Sequence, residues 1–242
     1  MYQPRSYRHW IRDKDLVSFN VVVRETDLYI RARRNLERKT LKAVSKYRVS
    51  LERYVERHPE FLAALKPIRV GKDAPQIVKA MAKAAKEVGV GPMASVAGAI
   101  AEYVGRELLP FSSELIVENG GDIFLKTLKR RLIGVYAGES PFTGKITLEI
   151  QPEETPLGIC TSSGTVGHSL SFGRADACIV LSPSTPLADA AATAIGNLTV
   201  EASDISQGID FAKGVEGIKG VVIIKGDQIG IWGEVRILPV EG

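Results

Sequence analysis

The order of strand-like and helix-like segments constrains the fold of this chain more than any other feature of its sequence. A hairpin pattern comes first, in which VSFNVVV (17–23) and LYIRAR (28–33) alternate apolar and polar residues. Helical patterns follow at residues 35–57, 77–89 and 91–108. Because strands and helices do not alternate regularly, the order predicts an α+β fold with a mostly antiparallel sheet packed against helices. Five short strand candidates then succeed one another at residues 114–118, 123–127, 132–138, 145–150 and 157–161.

The last third of the chain continues the same pattern. A buried strand at 175–183 leads into an alanine-rich helix at 188–195, for which Thr185 is the predicted N-cap and Pro186 the first helical residue. A final hairpin occupies 220–235 and turns at Gly226 and Asp227. Since no linker interrupts this sequence, we expect a single domain over residues 1–242.

The sequence disfavours a membrane-spanning protein and a disulfide-stabilised protein. Its apolar runs are shorter than the roughly 18 to 20 residues that a membrane span requires, and its first residues lack the apolar run of a secretory signal. We therefore expect a cytoplasmic protein without membrane contact. Cys160 and Cys178 lie on predicted core strands, so both are expected to be buried thiols in a reducing compartment.

The net charge of +4 raises the question of a nucleic-acid partner. The excess is concentrated in residues 31–48, where apolar residues recur at helical spacing and acids such as Glu37 interrupt the basic run. This pattern is typical of an amphipathic helix with a solvated basic face. We therefore expect no nucleic-acid partner.

A polar turn with two glycines joins two of the strand candidates. It consists of Asn119, Gly120, Gly121 and Asp122. Asn and Gly readily adopt positive φ, so the turn fits a tight hairpin. It equally fits a ligand site, because bare glycine amides and neighbouring polar side chains can approach a sugar or a base closely.

The segment CTSSGTVGHSLSFGR (160–174) is rich in hydroxyl groups and glycine and contains no acid. Backbone amides and hydroxyls of this kind can donate to phosphate oxygens, with Arg174 adding positive charge. The other interpretation is a solvated polar loop. His168 is a candidate acid-base residue or a structural histidine. The candidate phosphate-side residues are Thr161, Ser162, Ser163 and His168, and Gly164 is a further candidate for cofactor binding.

Three polar residues recur four positions apart on the alanine-rich helix: Asp189, Thr193 and Asn197. They share one helix face, and oxygen ligands from Asp189 and Thr193 would suit Mg²⁺. Alternatively, Asp189 is an acid near a helix N-terminus and Thr193 bonds back to the preceding turn. The spacings of serine protease triads, HExxH and CxxC zinc motifs and Rossmann glycines are not present in the sequence.

Four runs taken in order resemble the motif series of the ApbE-like superfamily. The resemblance is to an uncharacterised conserved family within it, related to FAD:protein FMN transferases and typical of methanogens and anaerobic bacteria. It extends from YQPRSYR to the final hairpin and so covers nearly the whole chain. The four runs are VGPMASVAGAIAE (90–102), VENGGDIF (117–124), CTSSGTVGHSLSFGRADA (160–177) and ADAAATAIGN (188–197).

The resemblance implies a fold and a set of site residues. The fold is a T-fold-type antiparallel sheet packed with helices. Asp189 and Thr193 stand where the transferases coordinate Mg²⁺, and Ala97 would offer its backbone carbonyl to the same ion. Gly120, Gly121 and Asp122 match the turn that contributes to the flavin pocket.

The resemblance also implies a function. We expect an ApbE-like protein that binds FAD, FMN or another diphosphate nucleotide with Mg²⁺, with His168 and Asp189 as catalytic candidates and Asn119 to Asp122 and Thr161 to Gly164 at the nucleotide. Its activity would be that of an FMN transferase or an FAD pyrophosphatase. The alternative is a non-catalytic auxiliary protein in anaerobic sulfur assimilation, in homocysteine formation. We expect a homo-oligomer with a small-molecule ligand and a protein partner.

Overall fold

Helices and antiparallel strands follow one another along the chain in nearly the predicted order. The computed structural model describes residues 15–164 and 173–240. The predicted α+β class is confirmed. The strands are β1 (Val17–Val23), β2 (Thr26–Ala32), β3 (Leu115–Asn119), β4 (Asp122–Lys126), β5 (Arg131–Gly134), β6 (Ile146–Ile150), β7 (Leu157–Ser162), β8 (Ala177–Ser182), β9 (Gly220–Lys225), β10 (Gln228–Gly233) and β11 (Ile237–Pro239).

Eight of these strands form one sheet in the order β1-β2-β3-β4-β7-β8-β9-β10. Every neighbouring pair in it is antiparallel. The order follows the chain except between β4 and β7, because β5 and β6 join β11 in a separate three-stranded sheet. The four strands β3, β4, β7 and β8 therefore lie side by side at the centre of the large sheet.

The helices agree closely with the helical patterns of the sequence. They are α1 (Glu37–Arg57), α2 (Pro59–Ala63), α3 (Gln76–Val88), α4 (Val96–Leu108), α5 (Thr185–Leu198) and α6 (Ile205–Lys213). The sequence patterns did not predict α6 or β11.

The start of α5 differs from the prediction by one residue. Ser184, not Thr185, is the N-cap, and its side-chain oxygen accepts a hydrogen bond from the Leu187 backbone N–H at 3.4 Å. The physical reason is backbone geometry, because Ser184 is extended (φ −106°, ψ 108°) whereas Thr185 is already helical. Pro186 consequently occupies the second helical position.

The large sheet is buried on both faces. In β3, Leu115 and Val117 pack among helical side chains, whereas Ile116 between them packs among residues of the small sheet. Cys160 and Cys178 are buried on the helical face beside α5, which confirms the expectation of buried thiols. The architecture is thus three layers: helices, eight-stranded sheet and three-stranded sheet.

Within residues 15–164 and 173–240, none of the single helices is long and apolar enough to cross a membrane. One bent pair of helical segments, Gln76–Val88 and Pro92–Phe111, is together long and apolar enough, by length and composition only, and the angle between its two parts is 106°.

Candidate functional site

Two helices meet above the centre of the large sheet. α4 packs on β3 and β4, α5 packs on β7 and β8, and the helices contact each other. Gly98 lies at their contact: a Cβ atom there would be 2.7 Å from the Thr185 carbonyl oxygen and 2.8 Å from the Asp189 Cβ. Since real side chains do not approach so closely, glycine at position 98 allows α5 to bring Asp189 to the beginning of α4.

Asp189 binds the N-terminus of α4 with its carboxyl group. Its Oδ2 accepts a hydrogen bond from the Gly98 backbone N–H at 2.8 Å. From Thr185 to Gly196 every residue of α5 is buried except Asp189 and Thr193, which are partly exposed. The polar stripe predicted from the sequence is therefore the partly exposed side of this part of α5.

Burial raises the pKa of Asp189 from 3.8 to about 7, because the charged carboxylate is poorly solvated there. Hydrogen bonds from the backbone N–H groups of Gly98 and Ala97 oppose this rise. One interpretation of the sequence was that Asp189 is an acid near the N-terminus of its own helix, α5. In the structure its carboxyl group instead binds the N-terminus of α4.

Asp122 is a second carboxyl group beside Asp189. Its side chain lies within the protein, with 6% of the residue exposed, and its Oδ1 atom has no hydrogen-bond partner among the described residues. Burial raises the pKa of Asp122 well above its usual range, and the negative charge of Asp189 raises it further. Hydrogen bonds from the Cys160 thiol and the Thr161 backbone N–H act in the opposite direction.

The glycine turn between β3 and β4 is a tight hairpin. Asn119 pairs with Asp122 across it, and Gly120 and Gly121 have φ of 67° and 103°. The Gly121 N–H donates to Glu118 Oε1 at 2.8 Å, so this amide is already engaged. The turn is attached to α4 because Asn119 Nδ2 donates to the Ala97 carbonyl oxygen at 3.1 Å.

The hydroxyl-rich segment begins at the end of β7. Thr161 adjoins the glycine turn, since a Cβ on Gly121 would lie 3.9 Å from the Thr161 Cβ. Ser162 is buried, and its Oγ lies 3.5 Å from where a Cβ on Gly196 of α5 would be. Strand residues alternate between faces, so the side chains of Thr161 and Ser162 point to opposite faces of the sheet. Ser163 is partly exposed and Gly164 exposed. His168 lies outside the described residues.

Two further residues adjoin the site: Glu118, which the sequence already placed among the polar groups of the glycine turn, and Cys160, which was expected only as a buried thiol. Glu118 is buried and accepts the Gly121 amide, as described above. The Sγ atom of Cys160 also lies 3.5 Å from the Thr185 carbonyl oxygen. Burial raises the pKa of Cys160 well above its usual value, and the charges of Asp122 and Asp189 add to this effect. The thiol therefore stays protonated beside the two acids.

The predicted metal ligands supply oxygen atoms only. Within residues 15–164 and 173–240 there is no group of three or more His, Cys, Asp and Glu side chains placed to hold a metal ion. A metal here would instead need backbone, hydroxyl, solvent or ligand oxygens in addition to the acids. That donor set is one that suits Mg²⁺ and not zinc.

Comparison with known proteins identifies the family. A protein-family model described as "AbpE bacteria" matches residues 8–230. The chain belongs to this ApbE-like family. The resemblance that the four sequence runs indicated is therefore confirmed.

Relatives of this ApbE-like protein occur in methanogens. A UPF0280 protein from Methanococcus aeolicus is 46% identical over 183 residues, which cover 74% of this chain and 71% of the relative. A UPF0280 protein from Methanocella arvoryzae is 40% identical over 214 residues, which cover 88% of this chain and 87% of the relative.

The ApbE-like fold is also evident from a solved structure. The apo form of the flavinyl transferase ApbE from Pseudomonas stutzeri matches with a TM-score of 0.59 and 14% identity, over 90% of this chain and 94% of that one. At this identity the comparison supports the fold alone. The predicted ApbE-like architecture is confirmed.

Proposed function

We propose that this ApbE-like protein binds a flavin or another diphosphate-containing nucleotide together with Mg²⁺, where α4, α5 and the β3–β4 turn meet. The observation that carries the proposal is the pair of acids Asp122 and Asp189. Each is poorly solvated, their charges repel, and Asp122 Oδ1 has no hydrogen-bond partner among the described residues. A bound cation stabilises a buried carboxylate that is poorly solvated and lies beside a second negative charge.

The residues beside Asp189 suit Mg²⁺ in their chemistry. The Thr193 hydroxyl lies one helical turn further along α5, and its oxygen takes part in no hydrogen bond within residues 15–164 and 173–240. The Ala97 carbonyl oxygen accepts a hydrogen bond from the Asn119 amide and, within α4, one from the Ala101 N–H, so binding of a metal would have to replace one of these bonds. Mg²⁺ prefers such oxygen donors and usually keeps several waters or phosphate oxygens as well. When bound, it would neutralise charge on the diphosphate.

The chain's own residues would bind and orient the nucleotide. The α4 N-terminus, held by Asp189, places positive backbone dipole beside the negative diphosphate. The hydroxyl group of Ser163, just beyond β7, is partly exposed and could donate to phosphate or ribose oxygens, whereas Thr161 points to the sheet face opposite Ser162 and α5. Asp122 and the Cys160 thiol are the buried groups beside these residues.

Flavin is the favoured ligand because the Pseudomonas stutzeri neighbour is a flavinyl transferase. Cleavage of FAD by water would release FMN and AMP, whereas transfer to a protein hydroxyl would release AMP and leave FMN on the acceptor. His168 remains the candidate acid-base residue for either reaction.

The test is incubation of the purified protein with FAD and Mg²⁺, with AMP and FMN measured by chromatography. We expect AMP release by the wild type and none by Asp189→Ala. Asp227→Asn, at the exposed β9–β10 turn, is the matched control and should keep the activity. Tight FAD binding without AMP release would contradict the enzyme and favour the auxiliary role. If neither FAD nor any adenine nucleotide raises the melting temperature, the nucleotide site itself is wrong.

A further inference from the structure

Helices α4 and α5 are joined by two reciprocal hydrogen bonds, each between a carboxylate of one helix and a backbone N–H of the other. Asp189 of α5 accepts the Gly98 N–H of α4 at 2.8 Å, and Glu102 of α4 accepts the Thr185 N–H of α5 at 2.7 Å. Gly98 and Glu102 are four residues apart on α4, as Thr185 and Asp189 are on α5, so each pair shares one helix face. Each helix thus contributes an acid to the first turn of the other.

Both first turns need these acids. The leading N–H groups of a helix have no partner within it and carry partial positive charge. Ser95, which precedes α4, donates its hydroxyl to the Pro92 carbonyl at 2.8 Å and does not cap the helix. In α5, Ser184 satisfies the Leu187 N–H and Pro186 has none, so Glu102 supplies the acceptor for Thr185.

Glu102 is held firmly. It is 7% exposed, and its second oxygen, Oε1, accepts a hydrogen bond from Arg106 Nε at 2.7 Å. The Arg106 guanidinium in turn lies 5.9 Å from the centre of the Phe124 ring of β4. Because a Cβ on Gly98 would collide with α5, the two helices have little room to move relative to each other at this point.

We propose that Glu102 is a positioning residue of the candidate site. By holding the first residue of α5 on α4, it fixes the helix contact and thereby keeps Asp189 on the Gly98 amide and beside Asp122. Glu102 bonds to Thr185 and Arg106 and not to Asp189, so its effect on Asp189 passes through the helix contact. The part of this inference that concerns Mg²⁺ rests on the proposed function, whereas the part that concerns the helix contact does not.

Two measurements test the inference on Glu102→Ala and Glu102→Gln. The first is hydrogen exchange of the Gly98 amide by NMR in the ligand-free protein. The second is the Mg²⁺ concentration that gives half of the FAD-dependent rise in melting temperature. Glu107→Gln is the matched control, because Glu107 lies on the same helix but bonds to Tyr47 of α1 at 2.9 Å.

We expect Glu102→Ala to accelerate Gly98 exchange about tenfold or more, as the loss of a hydrogen bond to a charged group does. The required Mg²⁺ concentration should rise about tenfold or more, since residues that orient metal ligands affect affinity to this degree. Glu102→Gln should restore most of both properties, because its amide oxygen can still accept the Thr185 N–H. Glu107→Gln should leave both unchanged.

Unchanged Gly98 exchange in Glu102→Ala would overturn the positioning role, whatever the fall in stability. Unchanged Mg²⁺ dependence with faster exchange would overturn its link to the site. If the wild type itself shows no response to FAD and Mg²⁺, the proposed function fails, and Gly98 exchange alone decides the role of Glu102. If Glu102→Ala does not fold, Glu102→Asp, which is one methylene too short to reach Thr185, replaces it with the same expected result.

Discussion

Asp189→Asn removes one ionisable group from the candidate site at nearly constant size. In the folded protein the pKa of Asp189 is raised from 3.8 to about 7, mainly by burial. Between these pH values the folded protein binds more protons than the unfolded chain, so the free energy of unfolding falls as pH rises. Each pH unit between the two pKa values lowers the free energy of unfolding by about 1.4 kcal/mol, so the loss by pH 7 is at most about 4 kcal/mol. Because Asp189 is partly exposed, we expect a loss of about 2 kcal/mol.

Asparagine resembles the protonated acid and is insensitive to pH in this range. Without Mg²⁺, Asp189→Asn should therefore match the wild type near pH 4 and exceed its free energy of unfolding by about 2 kcal/mol at pH 8. Urea denaturation in EDTA at pH 4, 6 and 8 measures this difference. The control Asp227→Asn should stay within about 0.5 kcal/mol of the wild type. If Asp189→Asn is instead equally destabilised at every pH, Asp189 is simply a favourable helix cap and the argument from its raised pKa fails.

Three further substitutions test two contacts at the site and one buried ion pair elsewhere in the fold. Gly98→Ala should lower the free energy of unfolding by about 1–3 kcal/mol in urea, because its Cβ would meet α5 at 2.7 Å; an unchanged value would refute the close contact. Thr193→Val should change stability by less than about 0.5 kcal/mol but raise the Mg²⁺ concentration needed for FAD-dependent stabilisation; unaltered Mg²⁺ dependence would remove Thr193 from the metal site. Glu114→Gln should cost about 3–5 kcal/mol in thermal or urea unfolding, since it weakens the buried pair with Arg131 at 2.8 Å; a loss below about 1 kcal/mol would contradict this.

Local patterns in the sequence predicted most elements of the fold. The β1–β2 hairpin, α1, α3 and the β9–β10 hairpin agree with their alternation or helical spacing, because burial on one face imposes that spacing directly. α6 was not predicted, although Ile205, Ile209 and Ala212 recur at helical spacing; Gly208 within it disfavours a helix. In the structure a Cβ there would lie 2.6 Å from Ile223 Cδ1, so close packing on β9 favours glycine.

The separation of β5, β6 and β11 into their own sheet could not be read from the sequence. Their alternation resembles that of the other strands, and pairing between distant segments leaves no local signal. β11 is only three residues long, so its pattern is too short to detect. Strand pairing over long distances thus limits what periodicity reveals.

The polar segments of the site were found from the sequence, but their arrangement was not. The glycine turn, the end of β7 and α5 adjoin because β3, β4, β7 and β8 are neighbours in the sheet. The contact between Glu102 and Thr185 joins residues 83 positions apart, and nothing in their local sequence indicates it. Only the family resemblance placed these segments around one pocket.

Several expectations from the sequence stay predictions. They are a single domain over residues 1–242, a homo-oligomer, a protein partner, no nucleic-acid partner and a cytoplasmic location. The roles of the individual site residues, including His168, also stay predictions until variants are measured.

The most direct measurement of the central claim is a fluorescence titration of FAD with the wild type and Asp189→Asn, each with Mg²⁺ and with EDTA. We expect tight FAD binding by the wild type only when Mg²⁺ is present, and loss of this Mg²⁺-dependent part of the affinity in Asp189→Asn. Equal FAD affinity in all four titrations would contradict a metal-assisted nucleotide site at Asp122 and Asp189.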